Sequence, residues 1–139
     1  MRIIRFAFLI GLCITAMSHA ATDPECLKHL GGAFSGVECF NGLSNDLRQE
    51  NKILAKKVDA TIPPGNKNRE LLNAYKRDQI ASRKYCELTR ESLTDWKPEQ
   101  HLTNPRYHDS DVVYYECVYD LLKLENQFLK NLLKNITQE

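Results

Sequence analysis

The sequence predicts an all-α fold: a small disulfide-stapled three-helix bundle with a short helical turn ahead of its first helix. Three observations carry this. Apolar residues recur at helical spacing in three long stretches. No segment shows the strict apolar–polar alternation of a half-buried strand. Four cysteines follow an N-terminal leader, the usage of small exported domains.

The leader is "MRIIRFAFLIGLCITAMSHA". Arg2 and Arg5 precede an apolar run from Phe6 to Thr15, and "SHA" closes it. This is the order of a secretory signal peptide, with cleavage expected after Ala20. The apolar run is too short for a membrane span, which needs about 20 residues. Cys13 follows Leu12 rather than a small residue, so it reads as part of the discarded segment and not as a lipid acceptor. The expected location is outside the cytoplasm, periplasmic or secreted.

Residues 21–139 are then a single domain of 119 residues. Without the leader's two arginines the balance is 17 Lys and Arg against 18 Asp and Glu. A near-neutral chain of this kind lacks the basic footprint of a nucleic-acid binder.

The first helix is expected over about 37–61. Phe40, Leu43, Leu47, Leu54 and Val58 share a face, and Asn51 falls on it between Leu47 and Leu54. A polar residue there needs a buried hydrogen-bond partner. "IPPGNKN" ends the helix, because prolines cannot continue it and Pro-Gly marks a turn. The second helix is expected over about 69–93, with Leu72, Tyr75, Gln79, Arg83 and Cys86 on one stripe and Leu71, Ile80 and Leu88 beside it. Residues 94–110 hold two prolines and no sustained period, which predicts a long loop of the kind that often carries function. The third helix is expected over about 111–136. Leu121, Leu124, Phe128, Leu132 and Ile136 form its main stripe, widened by Leu122, Leu129 and Leu133. So broad a face suits the central helix of a bundle, or a helix that also meets a second chain.

Removing Cys13 leaves Cys26, Cys39, Cys86 and Cys117. Their spacings lack the close pairs of a zinc site, so two disulfides are expected. A short connection makes the first two helices antiparallel neighbours, which brings Cys39 level with Cys86. Cys26 and Cys117 fall at that same end. The favoured pairs are Cys39 with Cys86 and Cys26 with Cys117; Cys26–Cys39 with Cys86–Cys117 is also sterically allowed.

No catalytic constellation stands out: there is no G-x-S-x-G, H-E-x-x-H or phosphate-cradling loop. No catalytic residue, metal site or cofactor is therefore assigned. His101, His108, Asp109 and Asp111 can be drawn as metal ligands, but solvated loop residues are the plainer reading. Glu116, Asp120 and Glu125 read as a solvated helix face rather than an acid pair. The candidate partner-binding residues are Trp96, Arg106, Tyr107, Tyr114 and Tyr115, in or beside the long loop and of types enriched at interfaces. "NIT" at Asn135 has the form of a glycosylation sequon.

"DPEC…VECFNGLSNDLRQEN" resembles the opening of the LprI-like lysozyme-inhibitor domain of exported bacterial proteins. The likeness continues through Leu43, Leu47 and Asn51, then Gln79 and Arg83 leading to Cys86, then Cys117 with Leu121 opening a leucine-rich last helix. The family's tryptophan before the third cysteine has no counterpart, since the one Trp here is Trp96. The resemblance implies a non-enzymatic binding protein that blocks a lysozyme or another peptidoglycan hydrolase. Two further readings are an immunity protein for a secreted cell-wall toxin and an envelope protein that forms homodimers through the third helix. None of these implies nucleic acid or a stable membrane span.

Overall fold

The structure, a computed structural model, describes Cys26, residues 32–97 and residues 109–137. These form an all-α fold. Helix α1 spans Ala33–Thr61, α2 spans Asn68–Ser82, a 3₁₀ turn covers Arg83–Tyr85, α3 spans Cys86–Ser92 and α4 spans Asp109–Thr137. Among the described residues there is no strand, and no helix is long and apolar enough to cross a membrane. Cys26 is helical and buried, while the rest of the expected N-terminal turn, the leader and residues 98–108 lie outside the described residues.

Helices α1 and α4 run parallel along most of their length. Gly36 lies against Val112, Phe40 against Tyr119, Asn51 against Leu122, and Val58 in one cluster with Leu129. A Cβ on Gly36 would come within 3.1 Å of Val112, so only glycine gives this approach without a shift. Helix α1 starts at Ala33, four residues before the expected start near residue 37. Gly36 sits where the first turns of α1 press onto α4, whereas Gly32 precedes the helix with open space around it.

Beyond α1, Ile62 and Pro63 leave the helix and Gly65 takes φ 75°, a left-handed conformation open to glycine at little cost. Arg69 clamps the turn, donating to Asp59 Oδ2 at 3.2 Å and to the carbonyl of Ile62 at 2.8 Å. The chain then returns antiparallel to α4: Tyr75 stacks on Phe128, Arg83 pairs with Glu125, and Cys86 meets Cys117. The expected single second helix is interrupted by the 3₁₀ turn. At 3.0 rather than 3.6 residues per turn, three residues overwind the chain by about 60°. Past that turn Cys86 is fully buried against Val118 and Leu122 of α4.

The core has three parts. Leu54, Ala55, Val58, Leu72 and Leu129 fill the end near the turn. Cys26, Phe40 and Tyr119 pack one side of the other end, and Cys86, Val118 and Leu122 the other side. The inward stripe of α4 is therefore Val118, Leu122, Glu125, Asn126 and Leu129. The main stripe expected from spacing lies on the flank, with Leu124, Phe128 and Ile136 exposed. The leucine-rich run allowed either face. The register against α1 chose the one bearing Glu125 and Asn126, because both find partners there.

Asn51 is only 3 % exposed. Its amide donates to the carbonyl of Leu122 at 2.9 Å and accepts from Asn126 Nδ2 at 2.8 Å. This meets the need that its place on the apolar face created. Replacing Asn51 by Ala is expected to destabilise the fold by about 2 kcal/mol, since it strands the Asn126 donor. In urea denaturation the double variant Asn51→Leu/Asn126→Leu should lose less than the sum of the two single leucine variants.

Candidate functional site: the disulfide pole

All four cysteines gather at one end of the bundle, as their places along the helices predict. The pairing is not the favoured one. Cys26 joins Cys39 and Cys86 joins Cys117, each with a Cα–Cα separation of 5.7 Å. The pairs Cys39–Cys86 and Cys26–Cys117 fail because α4 stands between the other two helices. The segment carrying Cys86 packs on Val118 and Leu122 of α4, whereas Cys26 and Cys39 pack around Phe40 and Tyr119. A short connection made α1 and α2 neighbours in sequence without laying them side by side.

Arg90 of α3 organises the pole. It pairs with Glu87, approaches Glu91 at 3.6 Å and Asp111 at 3.8 Å, and stands over the Tyr114 ring at 5.2 Å. Tyr114 in turn meets Tyr115 edge-on, with centroids 5.2 Å apart. The approach to Asp111 and the cation–π contact with Tyr114 tie α3 to the first turns of α4. The sequence alone does not mark Arg90. Glu87 stands three residues before it and Glu91 next to it, but Asp111 and Tyr114 reach it only through the tertiary fold.

The candidate partner-binding residues divide. Tyr114 and Tyr115 are half-buried; Tyr114 lies beneath Arg90, while Tyr115 packs against the Cys26, Phe40 and Tyr119 cluster. Trp96 is 64 % exposed. Its amide closes the end of α3 by donating to the carbonyl of Glu91 at 2.9 Å, and both Asp95 (φ 52°) and Trp96 (φ 61°) are left-handed. That conformation is uncommon outside glycine and disfavoured for a bulky residue. Arg106 and Tyr107, like His101 and His108, lie outside the described residues.

Asp111 of the drawn metal set approaches Arg90, and Asp109 is exposed. Among the described residues no three His, Cys, Asp or Glu side chains cluster as metal ligands. The acidic residues of α4 are not one solvated face. Glu125 is buried and receives a hydrogen bond from Arg83 at 3.2 Å. Burial, reinforced by the charge of Asp120, holds the Glu116 carboxyl above the usual carboxylate range. Tyr75 is pushed up to about 12 by burial and by Glu125, which keeps its hydroxyl protonated. Asn135 of the sequon form is exposed near the end of α4.

No family model, curated protein or solved structure matches the chain.

Non-reducing peptide mapping should recover the linked pairs Cys26–Cys39 and Cys86–Cys117. Removing the second bridge as Cys86→Ser/Cys117→Ser should cost about 3 kcal/mol and more than removing the first, because it closes the longer loop. Glu116 gives a pH test. A carboxyl whose folded pKa is raised contributes stability below its unfolded pKa and loses it as pH rises through the folded one. Glu116→Gln should therefore raise the thermal midpoint at neutral pH, and the gain should vanish by about pH 3.

Proposed function

We propose that the protein is an exported binding protein that blocks a peptidoglycan-cleaving enzyme such as a lysozyme. Its two disulfides are consistent with an oxidising compartment. The leader-like N-terminus and the resemblance to LprI-like lysozyme inhibitors support export and inhibition. The observation that carries the reading is Trp96. A large aromatic is held exposed in a left-handed turn at the tip of a pole braced by a disulfide and Arg90. Tryptophan on a rigid support is the residue type that dominates binding energy at protein interfaces, since little entropy is lost when it docks.

In this reading the pole fills the enzyme's cleft and excludes substrate, with no chemistry by the inhibitor. An immunity protein for a secreted cell-wall toxin would use the same face, and a toxin gene beside this one would favour it. The oxidised chain should inhibit at least one lysozyme in a turbidity assay on cell walls. Trp96→Ala should weaken that inhibition by roughly 30-fold or more, the loss of a hot-spot side chain, with the far-UV spectrum unchanged. Several lysozymes left fully active at on the order of 100 µM of the protein would overturn the reading, because such affinity is too weak for an inhibitor.

A further inference from the structure

The other end of the bundle carries a second surface. Between the end of α1, the first half of α2 and the last half of α4 lies an apolar groove of about 550 Å³. Val58, Leu72, Tyr75 and Leu132 line its floor and walls. Large apolar side chains stand up on and beside its lips: Leu71 is 68 % exposed, Leu124 61 %, Phe128 43 % and Ile136 43 %. Leu71, Phe128 and Ile136 border the groove itself, and Leu124 lies one helical turn before Phe128.

We infer that a second copy of this chain covers this face, forming a two-fold dimer. Three features select that occupant. First, the patch holds both a concavity and the apolar ridge that would fill one. A surface that is its own complement is what a two-fold interface requires, each copy's Leu71 and Phe128 entering the other's groove. Second, no charged residue lines the groove, in a chain that is 27 % charged. The exposed positions of α4 from 124 to 136 are Leu124, Gln127, Phe128, Asn131, Asn135 and Ile136, with only Lys130 and Lys134 beside them. Lys130 is turned to Glu50 of α1 at 2.8 Å. Depletion of charge marks interface cores, and a basic or acidic partner would find no counter-charge within the groove itself.

Third, the chain's longer undescribed segments attach elsewhere, and the two residues after Thr137 are too few to fill the groove. Residues 98–108 leave the end of α3 and return to the start of α4, both at the disulfide pole. Eleven residues reaching out and back extend about 18 Å. Leu124 and Ile136 lie about 22 and 40 Å along α4 from its start. Residues 27–31 join at that same distant pole, as do the five residues left before Cys26 once the leader is removed after Ala20, which extend about 17 Å.

With the two-fold axis perpendicular to α4, the two copies of α4 cross antiparallel near Phe128, and the two disulfide poles point in opposite directions. Each Trp96 stays open to a partner, so one dimer would present two binding tips. This inference stands on the groove and does not depend on what the pole binds.

Sedimentation equilibrium of the oxidised chain recovered after export tests it. The expected result is a dilution-dependent monomer–dimer equilibrium. Phe128→Glu and Leu71→Glu should each raise the dimer dissociation constant at least tenfold while leaving helicity and both disulfides intact. Leu88→Glu, an exposed leucine on α3 away from the groove, should leave it unchanged. A chain that stays monomeric up to on the order of 500 µM, above any useful affinity, overturns the inference. So does a dimer that Leu88→Glu disrupts as strongly as Phe128→Glu. A monomer that keeps an apolar small molecule in native mass spectrometry overturns it too, and assigns the groove to a ligand.

Discussion

The amide of Asn51 fixes how α1 lies on α4. It sits midway along the longest contact in the fold, and it bonds both to a main-chain carbonyl of α4 and to a side chain one turn further on. Leucine faces slide past each other at little cost, because dispersion has no direction. A buried amide does not slide, since any other register strands its donors in an apolar interior. Gly36 against Val112 and Phe40 against Tyr119 then follow from the same register. The face of α4 that Leu124, Phe128 and Ile136 occupy is turned outward by it as well.

The second arm of the bundle is held differently. Helix α2 buries one residue, Leu72. It leans on α4 through Tyr75 and is secured near its ends by polar and covalent contacts. Arg69 grips the turn, Arg83 reaches Glu125, and Cys86–Cys117 closes the far end. The groove beside it is the consequence of that thin packing. The Arg83–Glu125 pair is mostly shielded from water, so losing either partner would leave the other charge poorly solvated. The arm is therefore specified by a few directional contacts at its ends, and it leaves apolar surface uncovered between them.

The two ends of the molecule thus differ in kind. At one end disulfides, Arg90 and packed tyrosines build a stiff pole from which Trp96 projects. At the other an uncharged apolar face remains open. Stiffness suits recognition of another protein, because little freedom is lost on docking. Uncovered apolar surface suits a second copy of the same chain.

The sequence by itself determined the all-α class, three helical stretches with bounds a few residues from those observed, and the gathering of four cysteines at one end. It also marked Asn51 as a residue in need of a partner. These properties follow from local periodicity, from proline and glycine at the turns, and from counting residues along antiparallel helices. Only the tertiary structure decided which cysteines pair, which face of α4 is buried, and that Arg90 gathers Glu87, Asp111 and Tyr114. The reason is common to all three. Each depends on which helix stands between the other two, and that is set by long-range contacts such as Asn51 to Leu122. A leucine-rich helix offers several nearly equal apolar faces, and its own sequence does not rank them. The buried hydrogen bond does.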